Sequence, residues 1–186
     1  MRKTVLMLSL LAAPAVAQET PQIFPTRDVT VTYRTFGGQA GGAPPSVTMA
    51  WQAGTRRLRM ELPGMGWSVA DHTRQTGFLV MEQMRSIMPM PPGMLRQQLS
   101  LPSTARFTKG GAATVAGLPC TNWRYRDGQD EGEACLTADG VMLRAEGRMR
   151  GNQGGLEATA VRFGAVPAAH FEPPAGYQRL NFTLPR

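Results

Sequence analysis

The chain has 186 residues, 42% of them hydrophobic, with 20 Lys and Arg against 13 Asp and Glu, two cysteines and two histidines. That length asks for one hydrophobic core rather than several, and no self-similarity at ~20–50 residues points to a solenoid or propeller. The basic residues are dispersed arginines without a cluster interleaved with aromatics, which excludes a nucleic-acid strip. There is no G-x-S-x-G, H-E-x-x-H, P-loop or Rossmann glycine fingerprint, so neither an enzyme nor a cofactor is expected.

The N-terminus reads as a secretory signal. Met1-Arg2-Lys3 is a positive start, Thr4 to Ala13 an apolar run, and Ala15-Val16-Ala17 a small-x-small cleavage site before Gln18. The run is short of the roughly 20 residues a membrane-spanning helix needs, and no cysteine follows it until Cys120, so no thiol near the cut can be lipidated. The expected product is a soluble periplasmic or secreted monomer, with 18–186 as one domain. The 186 residues less 17 leave 169, and Lys+Arg falls by two to 18 against 13 acidic residues, a formal charge of +5. Such dispersed charge is read as a solvated face, with peripheral contact to anionic head groups or to acidic partners as the other use.

Gly37 to Pro45 and Met90 to Gly93 are loops. Around the first, apolar residues recur with period two. Val29, Val31 and Tyr33 alternate with Thr30, Thr32 and Arg34; Val47, Met49 and Trp51 with Thr48 and Ala50; Leu58, Met60 and Leu62 with Arg57, Arg59 and Glu61. These are half-buried strands. Further strands are expected at Trp67–Asp71 and Phe78–Met84, giving a largely antiparallel meander, and a short helix around Gly93 to Leu99.

Two Asp-Gly dipeptides in the second half suit two-residue hairpin turns. With Asp127-Gly128 as the first, paired residue numbers sum to 255, so Cys120 faces Cys135, Asn122 faces Glu133 and Arg124 faces Glu131. With Asp139-Gly140 as the second, the sum is 279: Leu136 faces Leu143 and Ala134 faces Ala145. One face then carries Trp123, Tyr125, Ala134, Leu136, Val141, Leu143 and Ala145. The other, wet, carries Cys120, Asn122, Arg124, Glu133, Cys135, Arg144, Glu146 and Arg148. Two cysteines in an exported chain, brought opposite each other, are expected to form a structural disulfide, without the C-x-x-C spacing of a redox site.

Chemistry is sparse. Asp71-His72 puts adjacent side chains on opposite faces of a strand and reads as a strand-end Asp beside a surface His. Met81, Met84, Met88, Met90 and Met94 cluster in a segment read as a flexible loop. Thioethers are soft ligands suited to Cu(I), and methionines equally make an adaptable apolar surface. The apolar surface is the expectation and copper the alternative.

The order of the strand segments resembles a known family. Asp28-Val29-Thr30-Val31-Thr32-Tyr33-Arg34, Arg56-Arg57-Leu58-Arg59-Met60-Glu61, Ser68-Val69-Ala70-Asp71 and Gly77-Phe78-Leu79-Val80-Met81-Glu82 are similar to the periplasmic lipoprotein-carrier superfamily of LolA and LolB. Cys120-Thr121-Asn122-Trp123, Glu133 to Arg144 and Phe171 to Tyr177 are similar to its uncharacterised exported members. The resemblance implies a mainly β fold with minor α: a strongly curved antiparallel sheet, an incomplete barrel, whose concave apolar side is covered by short helices. It implies an apolar-ligand binder, for a lipid, an acyl chain or a lipidated protein, with Trp51, Met60, Trp67, Trp123 and Tyr125 as lining residues. The alternative to both ligand readings is an envelope sensor or protein-interaction module without a cavity.

Overall fold

The computed structural model describes residues 19–37, 46–91, 93–95, 105–128, 130–149 and 152–180. They form β1 (Val29–Gly37), β2 (Ser46–Gln52), β3 (Arg57–Leu62), β4 (Gly66–Asp71), β5 (Thr76–Met81), β6 (Ser86–Pro89), β7 (Arg106–Val115), β8 (Leu118–Asp127), β9 (Asp130–Leu136), β10 (Met142–Met149), β11 (Asn152–Phe163) and β12 (Gln178–Arg179), with a 3-10 helix at Ala168–Phe171. The 12 strands make one sheet, in the order β12-β6-β5-β4-β3-β2-β1-β11-β10-β9-β8-β7. Only β12 runs parallel to its neighbour. The expected signal segment 1–17 lies outside the described residues.

The alternating segments become strands as expected, because each has one side to bury. Val29, Val31 and Tyr33 are buried while the residues between them are not. Between the meander strands, three four-residue turns (53–56, 72–75, 82–85) each close on a residue with positive φ: Arg56, Gln75 and Arg85. The third turn corrects the reading of the methionine segment. β5 stops at Met81 and the chain returns as β6, so this stretch is a hairpin and not a loop.

The hairpin register also differs from expectation. Asp127 pairs with Asp130 across a turn begun by Gly128, whose φ is 60°, so paired numbers sum to 257 rather than 255. The slip lets Arg124 oppose Glu133 and Arg126 oppose Glu131, two complementary pairs where the expected register supplied one. Cys135 therefore faces Asn122, and the disulfide to Cys120 crosses the two strands diagonally, Cα to Cα 5.5 Å. At the second turn Ala134 does face Ala145, but Leu136 meets Met142 because a bulge follows Met142. The bulge turns Leu143 to join Val141, Cys120 and Cys135 in one buried cluster with Val29, Val31 and Tyr33. The disulfide end of the expected wet face is thus core, while Arg124, Glu133, Arg144 and Glu146 remain solvated.

Among the described residues there is almost no helix: Ala168–Phe171 and residues 93–95, the remainder of the helix expected around Gly93 to Leu99 lying outside them. The cover on one side of the sheet is instead irregular chain. Val166, Phe171 and Tyr177 lie on Trp67, Val69, Val80 and Ile87. Arg59 holds this cover in place, its guanidinium 3.7 Å from the Trp67 ring and donating to the His170 carbonyl at 2.7 Å.

Candidate functional site

Five antiparallel pairings without a register shift run from β1 to β6. Directly paired residues share a face, so one row crosses six strands: Val31, Met49, Met60, Ser68, Leu79, Met88. It faces away from the C-terminal cover, which lies on the alternate residues. Met49, Met60, Leu79 and Met88 are half-buried, whereas Ser68 between them is fully buried. Met49 packs against the cluster of Val29, Val31, Tyr33 and Trp51, and Leu79 against Ala70, Met90 and Leu95, so the row runs between two buried clusters. The row is apolar apart from Ser68, and its unbranched thioether chains can re-pack.

The five expected lining residues do not meet. Met60 lies in the row. Trp51 is on the same face but buried, stacked on Phe24 and donating to the Pro25 carbonyl at 2.8 Å. Trp67, one position from Ser68, points to the opposite face under Arg59 and beside Phe78. Trp123 and Tyr125 belong to a separate buried cluster with Phe107, Ala134 and Leu136. The sequence signal for the row was present in Met49 and Met60, but its continuation through Leu79 and Met88 needs the β5–β6 hairpin.

The five candidate thioether ligands are likewise dispersed. Met84 stands exposed at the hairpin turn, Met94 is exposed, and Met90 is buried against Ala70 and Leu95. Met81 and Met88 are half-buried, paired with Ser86 and Leu79. Among the described residues no group of three or more His, Cys, Asp or Glu is placed to hold a metal ion.

His72 is not the surface residue expected. Its ring sits edge-on to Phe24 and Trp51, centroids 4.9 and 5.1 Å away, and its Nε2 is buried without a hydrogen-bond partner. Burial first, and then the charge of Arg56, lowers its pKa to about 4 against an opposing pull from Asp71. Asp71 itself caps the turn by accepting from the Thr73 and Arg74 amides. Asp28, which the sequence did not single out, accepts from the Ala53 and Val166 amides at 2.8 and 2.9 Å, tying β1 to the first meander turn and to the C-terminal cover.

No family model and no curated protein matches the sequence. Solved structures do match by fold. An uncharacterised conserved protein from Thermus thermophilus superposes on 83% of this chain and 90% of its own at 13% identity, with a TM-score of 0.57. MucB superposes on 84% of this chain at 18% identity, with a TM-score of 0.53. The chain is similar in fold to MucB. It spans 61% of MucB's length. The structural likeness extends to a LolA superfamily protein from Nitrosomonas europaea, at 8% identity over 81% of this chain and 92% of the other, TM-score 0.41.

Proposed function

We propose that the chain is an exported, periplasmic or secreted binding protein that holds an apolar ligand, a lipid, an acyl chain or the acyl part of a lipidated protein, along the Met49–Met60–Leu79–Met88 row. The observation that carries this is the row itself: four half-buried apolar side chains aligned across β2 to β6 about a fully buried Ser68, on the side away from the C-terminal cover. An acyl chain laid along it gains about 0.8 kcal/mol per buried CH₂ and asks little polar specificity. The disulfide supports an oxidising compartment. β7 approaches β11 although four places away in the sheet order, which supports a curled sheet with a sheltered interior.

The test is titration of a fluorescent fatty acid into the protein. Binding that Met60→Glu abolishes, while Met65→Ser at the exposed β3–β4 turn leaves it intact, supports the row; no binding, or equal binding by both variants, removes it. A second reading takes a protein partner, because MucB has been crystallised in complex with MucA(peri) and this chain resembles MucB in fold. Pull-down from envelope extract by protein that carries no acyl ligand favours that reading. Copper carriage requires converging thioethers, and silence in a Cu(I) competition titration removes it.

A further inference from the structure

Independently of the apolar row, we infer that the β7 edge of the sheet docks an acidic, extended segment of a protein partner, added as a further strand beside Arg106–Lys109. Among the described residues β7 ends the sheet order and pairs with β8 alone, β11 approaching it without pairing, so an unpaired edge is presented to an incoming chain. A bulge between Lys109 and Ala112 interrupts the ladder and limits the accepting stretch to the first four residues of the strand.

The charges along one register row make the case for an acidic occupant. Arg106 is exposed and stands directly opposite Arg126 of β8, a like-charge juxtaposition that is unfavourable across paired strands. Inward, Arg126 opposes Glu131 of β9 with an ion pair at 3.1 Å, and Glu131 opposes Arg148 of β10. From β10 outward the signs therefore run plus, minus, plus, plus. Among the described residues Arg106 has no carboxylate within salt-bridge distance. A carboxylate one strand further out restores the alternation, and that position exists only on an added strand.

The neighbouring groups do not cancel this. Arg124 is drawn to Glu133 at 3.6 Å, Glu146 is held by Arg144 at 2.9 Å, and Lys109 by Glu19 at 2.7 Å. Glu131, Glu133 and Glu146 are thus engaged inward, and Glu19 is engaged by Lys109 at the edge itself. Arg106, Arg124 and Arg126 line a hollow of about 960 Å³ whose floor includes the directly paired Gly132 and Gly147.

The probe is a fluorescein-labelled peptide of about ten residues alternating glutamate and valine, titrated into the full exported chain and followed by anisotropy. Two controls carry lysine for glutamate, or the same residues in blocks. The alternating acidic peptide is expected to bind about tenfold more tightly than either control and to weaken with salt. Arg106→Glu is expected to lose that binding and to gain binding of the lysine peptide, with an unchanged or higher Tm because the new carboxylate meets Arg126; Arg106→Gln should lose binding only. Failure of the acidic peptide to bind, or binding indifferent to residue order or to Arg106→Glu, overturns the proposal. So does Arg106-dependent binding to phosphatidylglycerol vesicles in place of the peptide, which assigns the edge to a membrane surface.

Discussion

At the scale of single residues, two polar side chains hold the framework, and neither advertises itself in sequence. Asp28 precedes an alternating strand and looks like a turn residue, yet it receives two amides that are far away along the chain. Asp28→Ala leaves both donors without an acceptor in part-buried surroundings and should cost about 2 kcal/mol in urea unfolding. His72 reads in sequence as a surface histidine beside a strand-end Asp, but its packing partners Phe24 and Trp51 come from segments that only the fold brings together. Its pKa is about 4 in the folded chain against 6.5 for a free histidine. Between those values the unfolded chain binds the extra proton, so stability should be full above about pH 6.5 and decline as pH falls toward 4. His72→Phe keeps the aromatic contacts without the proton, and its thermal unfolding should show a shallower decline over that window.

At the scale of elements, what could be read was whatever local alternation determines. β1 to β3 are visible because apolar and polar residues alternate and the turns after them carry Gly or short polar residues. β7 is hidden, since Lys109-Gly110-Gly111-Ala112-Ala113 has neither alternation nor β-branched residues, and pairing with β8 alone makes it a strand. Its two-residue turn, Ala116-Gly117, has positive φ at both positions, 51° and 76°. An L-residue other than Asn strains there, so Ala116→Asn should stabilise by about 1 kcal/mol in chemical denaturation. The disulfide was legible from the turn and the cysteine spacing even though the register was two out, because a shift of two keeps each side chain on its face. Breaking it with Cys120→Ala and Cys135→Ala together should cost about 3 kcal/mol on the chain-entropy model, for a sequence separation of 15.

At the scale of the whole molecule, the sheet is asymmetric. One side of the meander is closed by the chain's own C-terminal segment, with Phe171 and Tyr177 over the Trp67 face, and the other carries the methionine row. The sequence shows aromatic residues more loudly than methionines, which is why Trp51, Trp67, Trp123 and Tyr125 drew the expectation of a lining. In the fold these large rigid rings are core anchors, each at most 9% exposed, while the flexible side chains keep surface available for contact. That division of labour is what a binder of varied apolar ligands needs.

The most direct measurement is native mass spectrometry of the protein and of Met60→Glu, each purified from a bacterial periplasm without detergent. The account predicts a reproducible adduct of fatty-acid or phospholipid mass on the first and its loss on a folded second. A clean apo mass for both, or the same adduct on both, would contradict it.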